Sequence, residues 1–165
     1  MIRLLRYLWV VSMLIFLAIH LYYYTQFPNN VILGKLFPID FPLSKSNFFY
    51  AALGTMMLFN VLFIGLKWAI SKLSTGIFIS PKKSVWFSSL KYKKNFYTIK
   101  KGSVNGLAFI INLFFIYCIL LIYSYNSESP TNPVWGVYLS VFLLVAWIIY
   151  FFVLLTKPVE EEIEG

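Results

Sequence analysis

Four long apolar stretches fill most of the chain, and none of them contains an aspartate or a glutamate. They run Leu4–Tyr24, Phe48–Ile70, Val104–Tyr125 and Trp135–Leu155. Each is about 20 residues long, enough at ~1.5 Å of helical rise per residue to cross a ~30 Å hydrocarbon core. The pattern predicts an all-α integral membrane protein. Its expected architecture is a four-helix bundle of two transmembrane hairpins joined by a basic cytoplasmic loop. What lies outside the spans is too short for a soluble domain with its own core, so residues 1–165 read as one membrane domain.

Composition agrees. Apolar residues make up 60% of the chain and charged residues 12%, about half the charge of a soluble domain. The formal net charge is +8. A basic chain can address nucleic acid or an anionic surface, and here the bases flank apolar spans, which selects anionic lipid and not nucleic acid. Lysines outnumber arginines twelve to two, and Ile, Phe, Asn and Tyr are abundant, a bias that suggests the AT-rich genome of a bacterium. Cys118 stands alone, which excludes an intrachain disulfide or a CxxC redox pair. It reads as a small buried hydrophobe. Arg3 and Arg6 resemble the basic start of a signal peptide. The apolar run after them is too long for one, however, and Tyr22-Tyr23-Tyr24-Thr25 offers no small-x-small cleavage site. A retained helix is expected.

Lysine and arginine placement predicts orientation. Arg3 and Arg6 precede the first span; Lys67, Lys72, Lys82, Lys83, Lys91, Lys93, Lys94, Lys100 and Lys101 lie at or between the facing ends of spans two and three; Lys157 follows span four. The other two loops carry only Lys35 and Lys45. The positive-inside rule puts both termini and the middle loop in the cytoplasm, in the inner (plasma) membrane of a cell. Tyr22, Tyr23, Tyr24, Tyr50, Tyr123, Tyr125, Trp135 and Tyr138 would form an outer aromatic belt, with Tyr7, Trp9 and Trp68 near the inner face.

The first outer loop, Thr25–Asn47, holds Pro28, Pro38 and Pro42, which forbid a continuous helix. The second, Asn126–Pro133, has turn composition. The middle loop, 71–102, is broken by Gly76 and Pro81. Its Ser84–Ile99 segment interleaves lysines with Trp86, Phe87, Leu90, Tyr92, Phe96 and Tyr97. On a helix Trp86, Phe87, Leu90 and Tyr97 share one side, away from Lys91 and Lys94; with Lys93 they make an amphipathic, lipid-surface segment. A short β-hairpin and an ordinary positive-inside loop are the competing readings. The acidic tail, 158–165, reads as a short disordered end.

Polar groups inside the spans are few. His20 lies about one turn from the outer end of span one, and as the only histidine it cannot build a bis-His haem or a His-rich zinc site within one chain. A satisfied interfacial histidine is expected. Asn60 and Asn112 fall mid-span on antiparallel helices and are expected to pair, since an amide in hydrocarbon must find a partner. Asn105 lies seven residues before Asn112 on the same face. Gly54, Gly65 and Gly106 could admit close helix approach, although none forms GxxxG. Intramembrane glutamate, cysteine pairs and nucleotide or hydrolase motifs are all missing, which argues against multidrug export, disulfide chemistry and motif-bearing catalysis.

Phe27-Pro28-Asn29-Asn30-Val31 follows span one, and Pro42-Leu43-Ser44-Lys45-Ser46-Asn47-Phe48-Phe49-Tyr50 leads into span two. Over about residues 5–65 this resembles a group of small bacterial inner-membrane proteins of unknown function, with a Pro-x-x-[IV] turn and a Ser-Lys-x-x-Phe start to the second helix. The histidine common in that group's outer segment is absent from Ile32–Asp40, so no role attached to it carries over. The resemblance implies a membrane location and no activity. The expected function is that of a non-enzymatic accessory, assembly or scaffold component without a cofactor, partnered by anionic inner-leaflet lipid and by other membrane proteins or itself. A small transporter or channel with a pathway formed in an oligomer is the alternative.

Overall fold

The structure, a computed structural model, describes residues 2–33, 42–72, 83–127 and 135–156. The chain forms α1 (Ile2–Gln26), a two-residue strand β1 (Asn30–Val31), a second strand β2 (Leu43–Ser44), α2 (Lys45–Lys72), a single turn α3 (Lys83–Trp86), α4 (Leu90–Tyr125) and α5 (Trp135–Thr156). Four of these, α1, α2, α4 and α5, are long and apolar enough to cross a membrane. Gly76, Pro81, Lys35, residues 128–134 and the acidic tail lie outside the described residues.

Local chemistry sets the helix ends. Pro28 disfavours helical backbone at Phe27, and α1 stops at Gln26. The Ser44 hydroxyl accepts from the Asn47 amide at 3.3 Å at the start of α2. Ser89, extended at φ −137° and ψ 159°, caps α4 by accepting from Tyr92 N at 3.2 Å. The 36 residues of α4 make a helix about 54 Å long, well beyond a ~30 Å core. It absorbs residues 90–102, which the sequence reading assigns to a loop.

α4 is the hub. It packs against α1, α2 and α5, most extensively against α1, whereas the α1 and α2 backbones come close at few points and meet through side chains. Two glycines bring α5 in. Any side chain at Gly106 of α4 would run into the indole of Trp147, and any at Gly136 of α5 would run into the ring of Tyr117. Trp147 also donates from Nε1 to the Ser103 carbonyl at 3.2 Å. Of the glycines singled out in the sequence, Gly106 makes a close approach, while Gly54 and Gly65 face open space.

At one end of the helices β1 and β2 pair antiparallel, Asn30 with Ser44 and Val31 with Leu43. This small ladder brings residues 30–31 and 43–44 together beside the ends of α1 and α2. Phe27, Val31 and Leu33 then plug the cleft between α1, α2 and α4, packing with Phe16, Phe48, Met56 and Ile119. Val31, the last position of the Pro-x-x-[IV] turn, is fully buried. Asn126, at the end of α4, fastens the loop from below. Its Oδ1 accepts from Ile32 N at 2.9 Å, and its Nδ2 donates to Ile32 O at 2.7 Å. One side-chain amide thus mimics the pairing of a neighbouring strand. The opposite, lysine-rich end has its own small core of Trp86, Phe96 and Leu155.

Candidate functional site

The polar side chains buried midway along the helices meet in one knot. Asn60 of α2 donates from Nδ2 to Asn112 Oδ1 on α4 at 2.9 Å and to the Met56 carbonyl at 2.8 Å. Asn112 returns a bond from its Nδ2 to Asn60 Oδ1 at 3.3 Å. The second Asn112 N–H goes to Ser12 Oγ on α1 at 3.0 Å, and the Ser12 hydroxyl donates to the Trp9 carbonyl at 2.7 Å. Trp9 closes the ring, its Nε1–H donating to Asn60 Oδ1. Each primary amide offers two donors, and all four N–H groups of the pair are used. Three helices are therefore joined through buried polar groups that satisfy one another.

The structure brings Asn60 and Asn112 together and leaves Asn105 apart. Asn105 is buried, and its Oδ1 has no hydrogen-bond partner among the described residues. Trp9 and Ser12 complete the knot, and sequence reasoning assigned neither to it. Trp9 was expected in the inner aromatic belt; it is buried, held inward by the bond to Asn60, whereas Tyr7 and Trp68 do face outward. A signal existed: Trp9 and Ser12 are three residues apart, hence neighbours on one helix face. Above Trp9, the Lys67 ammonium sits 4.8 Å from the ring centroid, a cation–π contact that links the knot to the basic end.

His20 sits in an aromatic cage. Its ring stacks on Phe49 at 4.6 Å and on Phe16 at 5.3 Å, with Phe48 edge-on at 6.1 Å. Nε2 donates to the Phe49 carbonyl at 3.1 Å, while Nδ1 is buried without a partner among the described residues. Among the described residues no three His, Cys, Asp or Glu side chains gather as a metal site would require. An apolar cleft of about 490 Å³ opens between α2 and α4, lined by Phe59, Phe115 and Cys118 among others.

The amphipathic segment takes an unexpected shape. It is not one surface helix: α3 ends at Trp86, a turn follows, and Leu90 begins α4. Trp86 points inward, fully buried against Phe96. Its Nε1 donates at 2.8 Å to the Leu155 carbonyl in the last turn of α5, where carbonyls lack helical partners. Phe87 and Tyr97 are half-buried, edge-on to Phe96 at 5.2 and 5.8 Å. Lys91, Lys93 and Lys94 stay exposed on α4. The aromatic residues assigned to lipid insertion thus close an internal cluster, in which the Trp86 indole N–H meets a helix-terminal carbonyl. Compared with known proteins, the chain matches no family model, no curated protein and no solved structure.

Proposed function

We propose that this is a non-enzymatic integral protein of a bacterial inner membrane, a four-helix bundle with both termini in the cytoplasm, acting as an accessory, assembly or scaffold component for other membrane proteins. One observation carries the reading. The mid-helix polar groups of Trp9, Ser12, Asn60 and Asn112 are consumed by one another. Polar side chains that bind or move a substrate must keep donors or acceptors for it; these are committed to holding helices together. The outward faces of α2 and α5 offer apolar surface instead, from Met57, Val61 and Ile64 to Phe142, Val145 and Ile149. Such faces suit other membrane helices. Lys91, Lys93 and Lys94 suit anionic lipid beside them.

Affinity purification in mild detergent should recover defined membrane proteins with the chain. Reconstituted vesicles that leak a defined solute only when the protein is present, with nothing co-purifying, would favour the transporter or channel reading instead. Orientation has a separate test. In a Cys118→Ser background, an impermeant thiol reagent on intact cells should label a cysteine at position 128 and spare one at position 88.

A further inference from the structure

The apolar cleft between α2 and α4 is a slot that runs along both helices. On α2 it follows Phe48, Ala51, Ala52, Thr55 and Phe59, a stripe at helical spacing. On α4 it passes Phe115 and Cys118 on the way from Ile111 to Ile122. Eleven positions separate the ends of each stripe, about 16 Å along the helix axis. The short side chains of Ala51, Ala52 and Thr55 leave the space unfilled on the α2 side. Leu43 of β2 and Leu33 line one end. Phe59 and Ile111 line the other, each next in sequence to an asparagine of the polar knot.

Chemistry and dimensions select the occupant. Among the described residues that line the slot, Thr55 and Cys118 supply the only side-chain heteroatoms. The Thr55 hydroxyl is spent on the Ala51 carbonyl at 2.8 Å, and a thiol is a weak hydrogen-bond partner. Such a space stays dry and takes apolar guests. Its volume of about 490 Å³ over that length gives a mean section of about 30 Å². A helix with its side chains is about 10 Å across and needs more than twice that section, so a neighbouring helix is too wide for the slot. A single hydrocarbon chain lying along it is not. On the membrane reading proposed above, the polar knot marks the mid-plane, and half a hydrocarbon core is about 15 Å. The slot is then one leaflet deep, from the strand ladder to the centre. A phospholipid tail runs that same distance, from headgroup level to the mid-plane.

We propose that the slot between α2 and α4 holds one acyl chain of a phospholipid from the leaflet on the ladder side, as a retained lipid set apart from the exchanging bulk. The site rests on the membrane reading and is independent of the scaffold one. Photo-crosslinking tests it. The full chain is reconstituted in phosphatidylglycerol vesicles doped with phosphatidylglycerol that carries a diazirine near the head or near the tail end of its acyl chain, and the labelled peptides are mapped. The slot should label above the outward faces at Val61 and Phe142. In the wild type the head-end probe should mark the Phe48 and Ile122 end, and the tail-end probe the Phe59 and Ile111 end. Thr55→Trp, which fills the slot, should lose the slot label and keep the label at Phe142. Val61→Trp, the same change on the outward face of α2, should keep both. Thr55→Trp should melt in detergent no lower than the wild type; the depth order needs no variant and stands if it does not. Equal labelling of slot and outward faces, a depth order absent or reversed, or a slot label that survives Thr55→Trp would overturn the site. Bridging of Cys118 between two chains by a bifunctional maleimide, with the slot unlabelled, would give the slot to a second copy. A chain that fails to float with the vesicles would take down the membrane reading and the slot with it. A labelled slot on a chain that recovers no membrane protein would defeat the scaffold reading alone.

Discussion

Trp147 of α5 lies across Gly106 of α4, and Tyr117 of α4 lies across Gly136 of α5. Gly106 and Tyr117 are eleven positions apart, as are Gly136 and Trp147. Eleven residues are close to three helical turns, so both contacts fall on the same seam of an antiparallel pair. Each helix supplies one ring and one notch. The arrangement fixes how far α5 can slide, because a shift of one turn takes both rings off their glycines at once.

Gly106→Leu and Gly136→Leu should therefore each destabilise the α4–α5 contact, by about 1–3 kcal/mol from overpacking. Trp147→Ala should partly rescue Gly106→Leu, since it vacates the space the new side chain needs. Thermal unfolding in detergent reads the three values. A double variant that costs the full sum of the two single effects would remove the ring-on-glycine account.

The polar knot makes a second prediction. Asn60→Leu and Asn112→Leu should each cost about 0.6–2 kcal/mol, with the double variant costing less than their sum. Ser12→Ala removes one acceptor and should couple to Asn112 but only weakly to Met56. Strict additivity between Asn60 and Asn112 in a detergent-unfolding assay would count against a shared bond.

Asn126→Ala tests the fastening of the segment between α1 and α2. It removes two hydrogen bonds to the Ile32 backbone. The Ile32 amide should exchange with deuterium faster while the amides at the centre of α4 keep their protection, because the lost bonds sit at the exposed rim. Unchanged exchange at Ile32 would show that the ladder with β2 alone holds the loop.

Trp86 makes a spectroscopic prediction. In a variant with Trp86 as the sole tryptophan, emission should already be blue-shifted without lipid and should not move when anionic vesicles are added. Trp86→Ala should cost about 3–5 kcal/mol as a large buried ring is deleted. A blue shift that develops only on vesicle binding would place the indole in lipid instead.

Much of the fold was legible because the dominant force is one-dimensional. Hydrophobic runs such as Phe48–Ile70 announce a helix by length alone, and mid-span asparagines announce a need for partners. The partners themselves were only half legible. Asn60 and Asn112 stand out against apolar neighbours, but Ser12 and Trp9 look ordinary in a helix until their shared face is seen to turn inward. The inner segment misled for a related reason. Its alternation of lysine and aromatic residues fits a surface helix, and nothing local reveals that the Leu155 carbonyl waits for the Trp86 indole across 69 residues. The strand ladder was hidden because two-residue strands carry no period, and because Asn126, which fastens them, lies 94 residues from Ile32.

The central place of α4 has a consequence for how such a chain is made. Synthesis delivers α1 and α2 first, joined by the Trp9–Asn60 bond, and Asn112 arrives 100 residues after Ser12. On the membrane reading proposed above, the first hairpin until then carries half-satisfied polar groups in hydrocarbon, each an opening for some other membrane helix or for a protease that recognises such exposure. The knot doubles as a record of completion. A chain truncated after Lys72 should be cleared from cells faster than one truncated after Tyr125, because only the longer product can hide that mark.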